Sequence, residues 1–127
     1  MKTIDLAEKT FDSAIKTGIV LIDWWAPWCG PCRAFAPIYE AAQARHPDVS
    51  FAKVNTDLER GLAAAAAIRS IPTLMAFRDG ILLFEQAGVL PGAALDELLR
   101  KLRAVDMDEV RRQLAASTAP STSAAGG

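Results

Sequence analysis

The stretch Gly18 to Ala26, GIVLIDWWA, runs almost directly into Cys29-Gly30-Pro31-Cys32, and this junction constrains the fold more than any other part of the chain. An apolar run without alternation, rich in β-branched and aromatic side chains, suits a strand buried on both faces, as in a parallel sheet. Such a strand needs helices on both sides of its sheet. Residues 32–45 carry the helical pattern that follows, with Pro37 expected to kink it. The two cysteines, the only ones in the chain, therefore stand where a buried strand gives way to a helix.

The remaining elements fit around this junction. Thr3 to Leu6 reads as a short strand. Phe11, Ala14 and Ile15 mark an amphipathic helix over 8–17 that ends near Gly18. VSFAKVN is a second buried strand. The alanine-rich stretch predicts a helix over 58–68, because alanine has the best helix propensity. TLMAFRDGILLFEQAG predicts two strands around the hairpin signal Asp79-Gly80. Leu95, Leu98, Leu99 and Leu102 line one face of a helix over 92–104. Asp106 and Glu109 form a capping-box pattern for an extra helix over 106–115, and 116–127 reads as a flexible low-complexity tail. The expected organisation is thus one α/β domain over 1–105, the extra helix and the tail. The order β-α-β-α-β-α-β-β-α implies a mixed sheet flanked by helices on both faces.

Charge and hydropathy narrow the function. The net charge is −1 and the 14 lysines and arginines are dispersed, which leaves no footprint for nucleic acid or an anionic membrane. No segment reaches the roughly 18 apolar residues of a membrane span, and the N-terminus lacks a signal-peptide apolar stretch. The expectation is a cytoplasmic monomer. In that compartment a close cysteine pair points to redox or metal chemistry rather than a structural staple. A structural zinc site takes four cysteine or histidine ligands, and two cysteines with His46 cannot supply them from one chain. His46 itself, in ARHPDV, reads as an ordinary surface loop residue.

With Cys29 near the helix N-cap, Cys32 falls near the third helical position, and the turn can bring the two sulfurs within bonding reach. Pro31 loses nothing in a first turn, whose amides lack intrahelical partners, and Gly30 permits the tight approach. The positive end of the helix and the charge of Arg33 favour a thiolate at Cys29. Cys32 is expected to lie deeper and more shielded. Asp23 sits in the apolar run, where an ionised carboxylate is costly to bury. It should hold its proton to high pH or find a partner.

WCGPC, Asp23, Lys53 in FAKVNTD, Ile71-Pro72-Thr73, and Gly80 and Gly88 together resemble the thioredoxin family over residues 1 to about 104. The resemblance implies a thioredoxin fold with strand order 1-3-2-4-5 and protein disulfide reductase activity. It implies that Cys29 attacks, Cys32 resolves, and Asp23, with Lys53 nearby, takes the proton from Cys32. It also implies a cis bond before Pro72 and a substrate face of Trp28, Gly30, Pro31, Ile71, Thr73, Gly88 and Val89. Trp25 should pack against the motif and Trp24 in the core. The partners implied are disulfide-containing client proteins and a thioredoxin reductase-type electron donor, with no bound cofactor. Two other functions remain open at this point: a binding module without turnover, and a redox donor dedicated to one partner.

Overall fold

The computed structural model describes residues 3–118. Ten elements follow one another: β1 (Ile4–Asp5), α1 (Glu8–Ala14), β2 (Ile19–Trp25), α2 (Gly30–Arg45), β3 (Ser50–Asn55), α3 (Arg60–Ala65), β4 (Thr73–Arg78), β5 (Ile81–Ala87), α4 (Gly92–Ala104) and α5 (Met107–Thr118). The five strands form one sheet in the order β1-β3-β2-β4-β5. β1, β3 and β2 run parallel, while β4 and β5 are antiparallel to their neighbours. This is the thioredoxin fold expected from the sequence.

The apolar run of β2 is explained by its central place in this sheet. Val20, Leu21, Ile22 and Trp24 are at most 1% exposed, because α2 and α4 cover one face and α1 and α3 the other. Leu21 points to the first layer, with Phe35, Tyr39, Phe51, Leu74, Leu95 and Leu99. Val20, Ile22 and Trp24 point to the second, with Leu6, Val54, Met75 and Phe77. Asp23 shares the pleat parity of Leu21 and pairs in register with Lys53 and Leu74, so its carboxyl lies on the face that α2 covers. Residues Asp79 and Gly80 both have positive φ, 53° and 83°, as the two-residue hairpin between β4 and β5 requires.

Three elements differ from the sequence reading. α3 stops at Ala65 although the alanine run continues. Ala67 turns left-handed, with φ 57°, and the Ile68 and Ala67 amides bond back to the Ala63 and Ala64 carbonyls at 3.0 Å each. That is a Schellman closure with alanine where glycine is usual. It directs Ile68 onto the second core layer, and this packing overrides alanine's helix propensity. α2 begins at Gly30, two residues before the expected start, and runs to Arg45 with Pro37 inside it. α5 extends to Thr118, beyond the expected end near 115. Asp106 caps it by accepting from the Glu109 amide at 3.1 Å, but the Glu109 carboxylate bonds Arg112 and Gln113 instead of returning to the cap. The rest of the expected tail, 119–127, lies outside the described residues.

His46 is also not a free surface residue. It ends α2 with its side chain only 13% exposed, and its Nε2 lies 2.6 Å from Asp96 on α4. Arg103 reaches its Nδ1 at 2.9 Å and also bonds Asp48, which ties α4 to the α2–β3 connection.

Candidate active site

β2 ends at Trp25, and after three intervening residues the chain enters α2 with Cys29 as its N-cap. The sequence dictates this start. Gly30 and Pro31 are the first two helical residues, where proline's missing amide hydrogen has no partner to lose. Cys32 is then the third, and its amide donates to Cys29 Sγ at 3.2 Å. A sulfur thus occupies the place of the usual capping oxygen. The two cysteines form a disulfide with Cα atoms 5.2 Å apart.

Exposure does not separate the sulfurs as expected. Cys29 is 4% exposed and Cys32 3%. Their asymmetry lies in hydrogen bonding: the helix amide points at Cys29. Ile71 supplies the other side of the site. Its carbonyl oxygen lies 3.7 Å from Cys29 Sγ, and its bond to Pro72 is cis.

The surface around the motif is apolar and held in place. Trp28 is 67% exposed, and its indole N–H donates to Asp57 at 3.2 Å, which fixes the ring against the turn after β3. Arg33 donates to the Pro27 carbonyl at 2.9 Å and so braces the loop that carries Trp28. Gly30, Pro31, Gly88 and Val89 are exposed, and Ile71 is half-buried. Gly88, at φ 100°, donates its amide to the Pro72 carbonyl at 2.8 Å, which joins β5 to the proline loop. Thr73 does not reach this surface. It is buried, and its hydroxyl donates to the Ser70 carbonyl at 2.6 Å. Pro72 is buried as well.

Asp23, on the sheet face that α2 covers, is 4% exposed, with Oδ1 lacking a hydrogen-bond partner among the described residues. Burial drives its pKa from the ordinary 3.8 up to about 7, against the opposing charge of Lys53. Lys53 makes no close ion pair with it. Its ammonium sits 5.0 Å above the Trp25 ring and 4.0 Å from the Asp5 carboxylate. Trp25 is therefore bound to the lysine, while Trp24 is fully buried against Phe11, as the sequence suggested. Tyr39, which the sequence reading passed over, crosses from α2 to donate to the Ala52 carbonyl at 2.7 Å. Its phenol is held well above the ordinary range, first by burial and then by the Asp23 charge on the same face, against the bond to Ala52. A tyrosine in a helical apolar stripe gives no sequence signal of that contact.

The thioredoxin family profile matches residues 2–101. The chain belongs to the thioredoxin family. "Putative thioredoxin 2" of Streptomyces coelicolor is 46% identical over 114 residues, which are 89% of this chain and 85% of that protein. Thioredoxin of Bacillus subtilis is 34% identical over 102 residues, 80% of this chain and 98% of that protein. A chain from a solved structure on the thiol resolving mechanism in yeast mitochondrial 1-Cys peroxiredoxin via glutathione/thioredoxin systems superposes with a TM-score of 0.73. It is 26% identical and covers 79% of this chain and 95% of its own. With this fold and the Cys29–Cys32 pair, the protein is an oxidoreductase with an active-site disulfide capable of thiol–disulfide exchange. Among the described residues, no three His, Cys, Asp or Glu side chains gather as metal ligands. No described helix is long and apolar enough to cross a membrane.

Proposed function

We propose that this thioredoxin-family member is a cytoplasmic reductase of disulfides in client proteins. The observation that carries the reading is the Cys29–Cys32 disulfide at the start of α2, with a helix amide on Cys29 Sγ and the Ile71 carbonyl beside it. In the dithiol form, that amide and the positive end of α2 favour the Cys29 thiolate. The thiolate attacks one sulfur of a client disulfide. A mixed disulfide forms, and the other client sulfur leaves as a thiolate and takes up a proton.

Cys32 then loses its proton to the Asp23 carboxylate, whose pKa of about 7 suits a base at neutral pH. The Cys32 thiolate attacks Cys29 Sγ, the mixed disulfide breaks, and the second client thiolate departs. Two electrons pass from the enzyme to the client, whose departing second thiolate takes back the proton held by Asp23, while the first thiolate is protonated from solvent. A thioredoxin reductase-type donor returns the electrons. Lys53 tunes Asp23 through its charge, and Trp28, Ile71, Gly88 and Val89 form the docking face. The client backbone pairs with Ile71 as a short added strand. The test is capture with Cys32→Ser in extract. Mixed disulfides with many proteins are the expected result, one partner would mean a dedicated donor, and none would refute the reading.

A further inference from the structure

Beside the sulfurs lies a cleft of about 210 Å³, lined by Trp28, Thr56, Ile68, Arg69, Ser70 and Ile71. Its walls are largely apolar, and one cation stands among them. Arg69 is exposed and forms no hydrogen bond or ion pair among the described residues. The other charges nearby are occupied or face elsewhere. Arg33 is bound to the Pro27 carbonyl, and Asp57 holds the Trp28 indole. Glu85 lines a separate hollow on the far side of Arg69 and makes no ion pair with it. Thr56 is turned to the Trp25 carbonyl, so it adds no free hydroxyl hydrogen to the cleft.

We propose that this cleft is a subsite for an acidic side chain of the client, placed next to the cysteine under attack. The short aliphatic stem of a glutamate would lie between Trp28 and Ile71, and its carboxylate would meet the guanidinium of Arg69. Arginine suits this role because its planar fork can take both carboxylate oxygens. Asp57, at the Trp28 side, repels an anion there and favours the Arg69 end. The assignment deepens the reductase reading and rests on it.

Pre-reduced protein is mixed with disulfide-bridged peptides that differ only in Glu, Gln or Lys beside one cysteine. The peptide is reduced to its dithiol as the protein is oxidised to the Cys29–Cys32 disulfide. Each rate is divided by the rate with hydroxyethyl disulfide, which is uncharged and cancels any change at the sulfurs. At low salt the glutamate peptide should react about threefold to tenfold faster than the lysine peptide, with the gap shrinking as salt is added. Arg69→Glu should reverse the order and Arg69→Gln should flatten it. Equal relative rates in the unmodified protein, or an unchanged order in Arg69→Glu, overturns the subsite while leaving the reductase reading intact. If neither the peptides nor hydroxyethyl disulfide oxidises the protein, the reductase reading falls and the subsite with it.

Discussion

Replacing Asp23 with alanine should make the protein more stable at neutral pH and slower at its chemistry. The unfolded carboxyl ionises near 3.8 and the folded one near 7, because burial penalises the charge more than Lys53 relieves it. The native state therefore keeps a proton that the unfolded chain has already released. The stability tied to this proton is fully present below the unfolded pKa and is lost as pH rises through the folded one. Integrated to pH 7, the loss is about 4 kcal/mol, nearly the full separation of the two pKa values at 1.36 kcal/mol per unit. Alanine removes that loss but leaves a small void and forfeits some contacts, which costs about 1 kcal/mol. The net gain at pH 7 should be about 2–3 kcal/mol, and it should vanish or change sign near pH 4.

Urea titrations of both proteins at half-unit steps from pH 4 to 8 measure this directly. The difference in stability should grow with a slope close to one proton over the middle of that range, then level off. Single-turnover reduction of a protein disulfide supplies the second readout. Attack by Cys32 should slow in the mutant at pH 7, and the loss should shrink at higher pH, where hydroxide can take the proton. A stability difference that does not vary with pH would refute the burial argument. An unchanged resolving rate would refute the role of Asp23 as base, even if the stability argument held.

Other outcomes are expected elsewhere in the molecule. Ala67→Gly should raise stability by about 1 kcal/mol in denaturant titration, because a left-handed φ of 57° disfavours a side chain that glycine lacks. Cys29→Ser should abolish disulfide reduction, whereas Cys32→Ser should accumulate a mixed disulfide visible on a non-reducing gel. Near neutral pH, the reduced protein should be alkylated first at Cys29, as mapped by peptide mass. His46→Ala should lower the melting temperature, because it removes the contacts that join the end of α2 to Asp96 and Arg103.

What the sequence disclosed, and what it hid, follow from the range of the interactions. The β2 run was legible because a strand buried on both faces needs apolar residues at consecutive positions, and Val20 to Trp24 show this directly. The N-cap place of Cys29 was legible because Gly30 and Pro31 admit few other starts to a helix. The end of α3 was not. Nothing in five alanines marks where a helix stops, and the stop is set by the contact of Ile68 with the second core layer. His46 misled for the same reason: its partners Asp96 and Arg103 lie 50 and 57 residues away in sequence. Thr73 follows Pro72 in the motif, yet strand alternation turns its hydroxyl inward to Ser70.

The near-equal burial of the sulfurs puts the basis of their proposed division of labour in hydrogen bonding rather than in exposure. If the attacking sulfur were simply the exposed one, moving charge or bulk at the surface would exchange the roles. Here the distinction is built into the helix start. The N-cap sulfur receives the amide of the third residue, and the third residue's own sulfur cannot receive its own amide. In the proposed mechanism that amide favours the Cys29 thiolate once the disulfide is reduced. In that mechanism Cys32, which receives no such amide, gives its proton to a base. The base proposed above is Asp23, on the sheet face that α2 covers, with its pKa raised by burial to about 7. In the proposed mechanism, the order of the two chemical steps follows from which end of one helical turn each sulfur occupies.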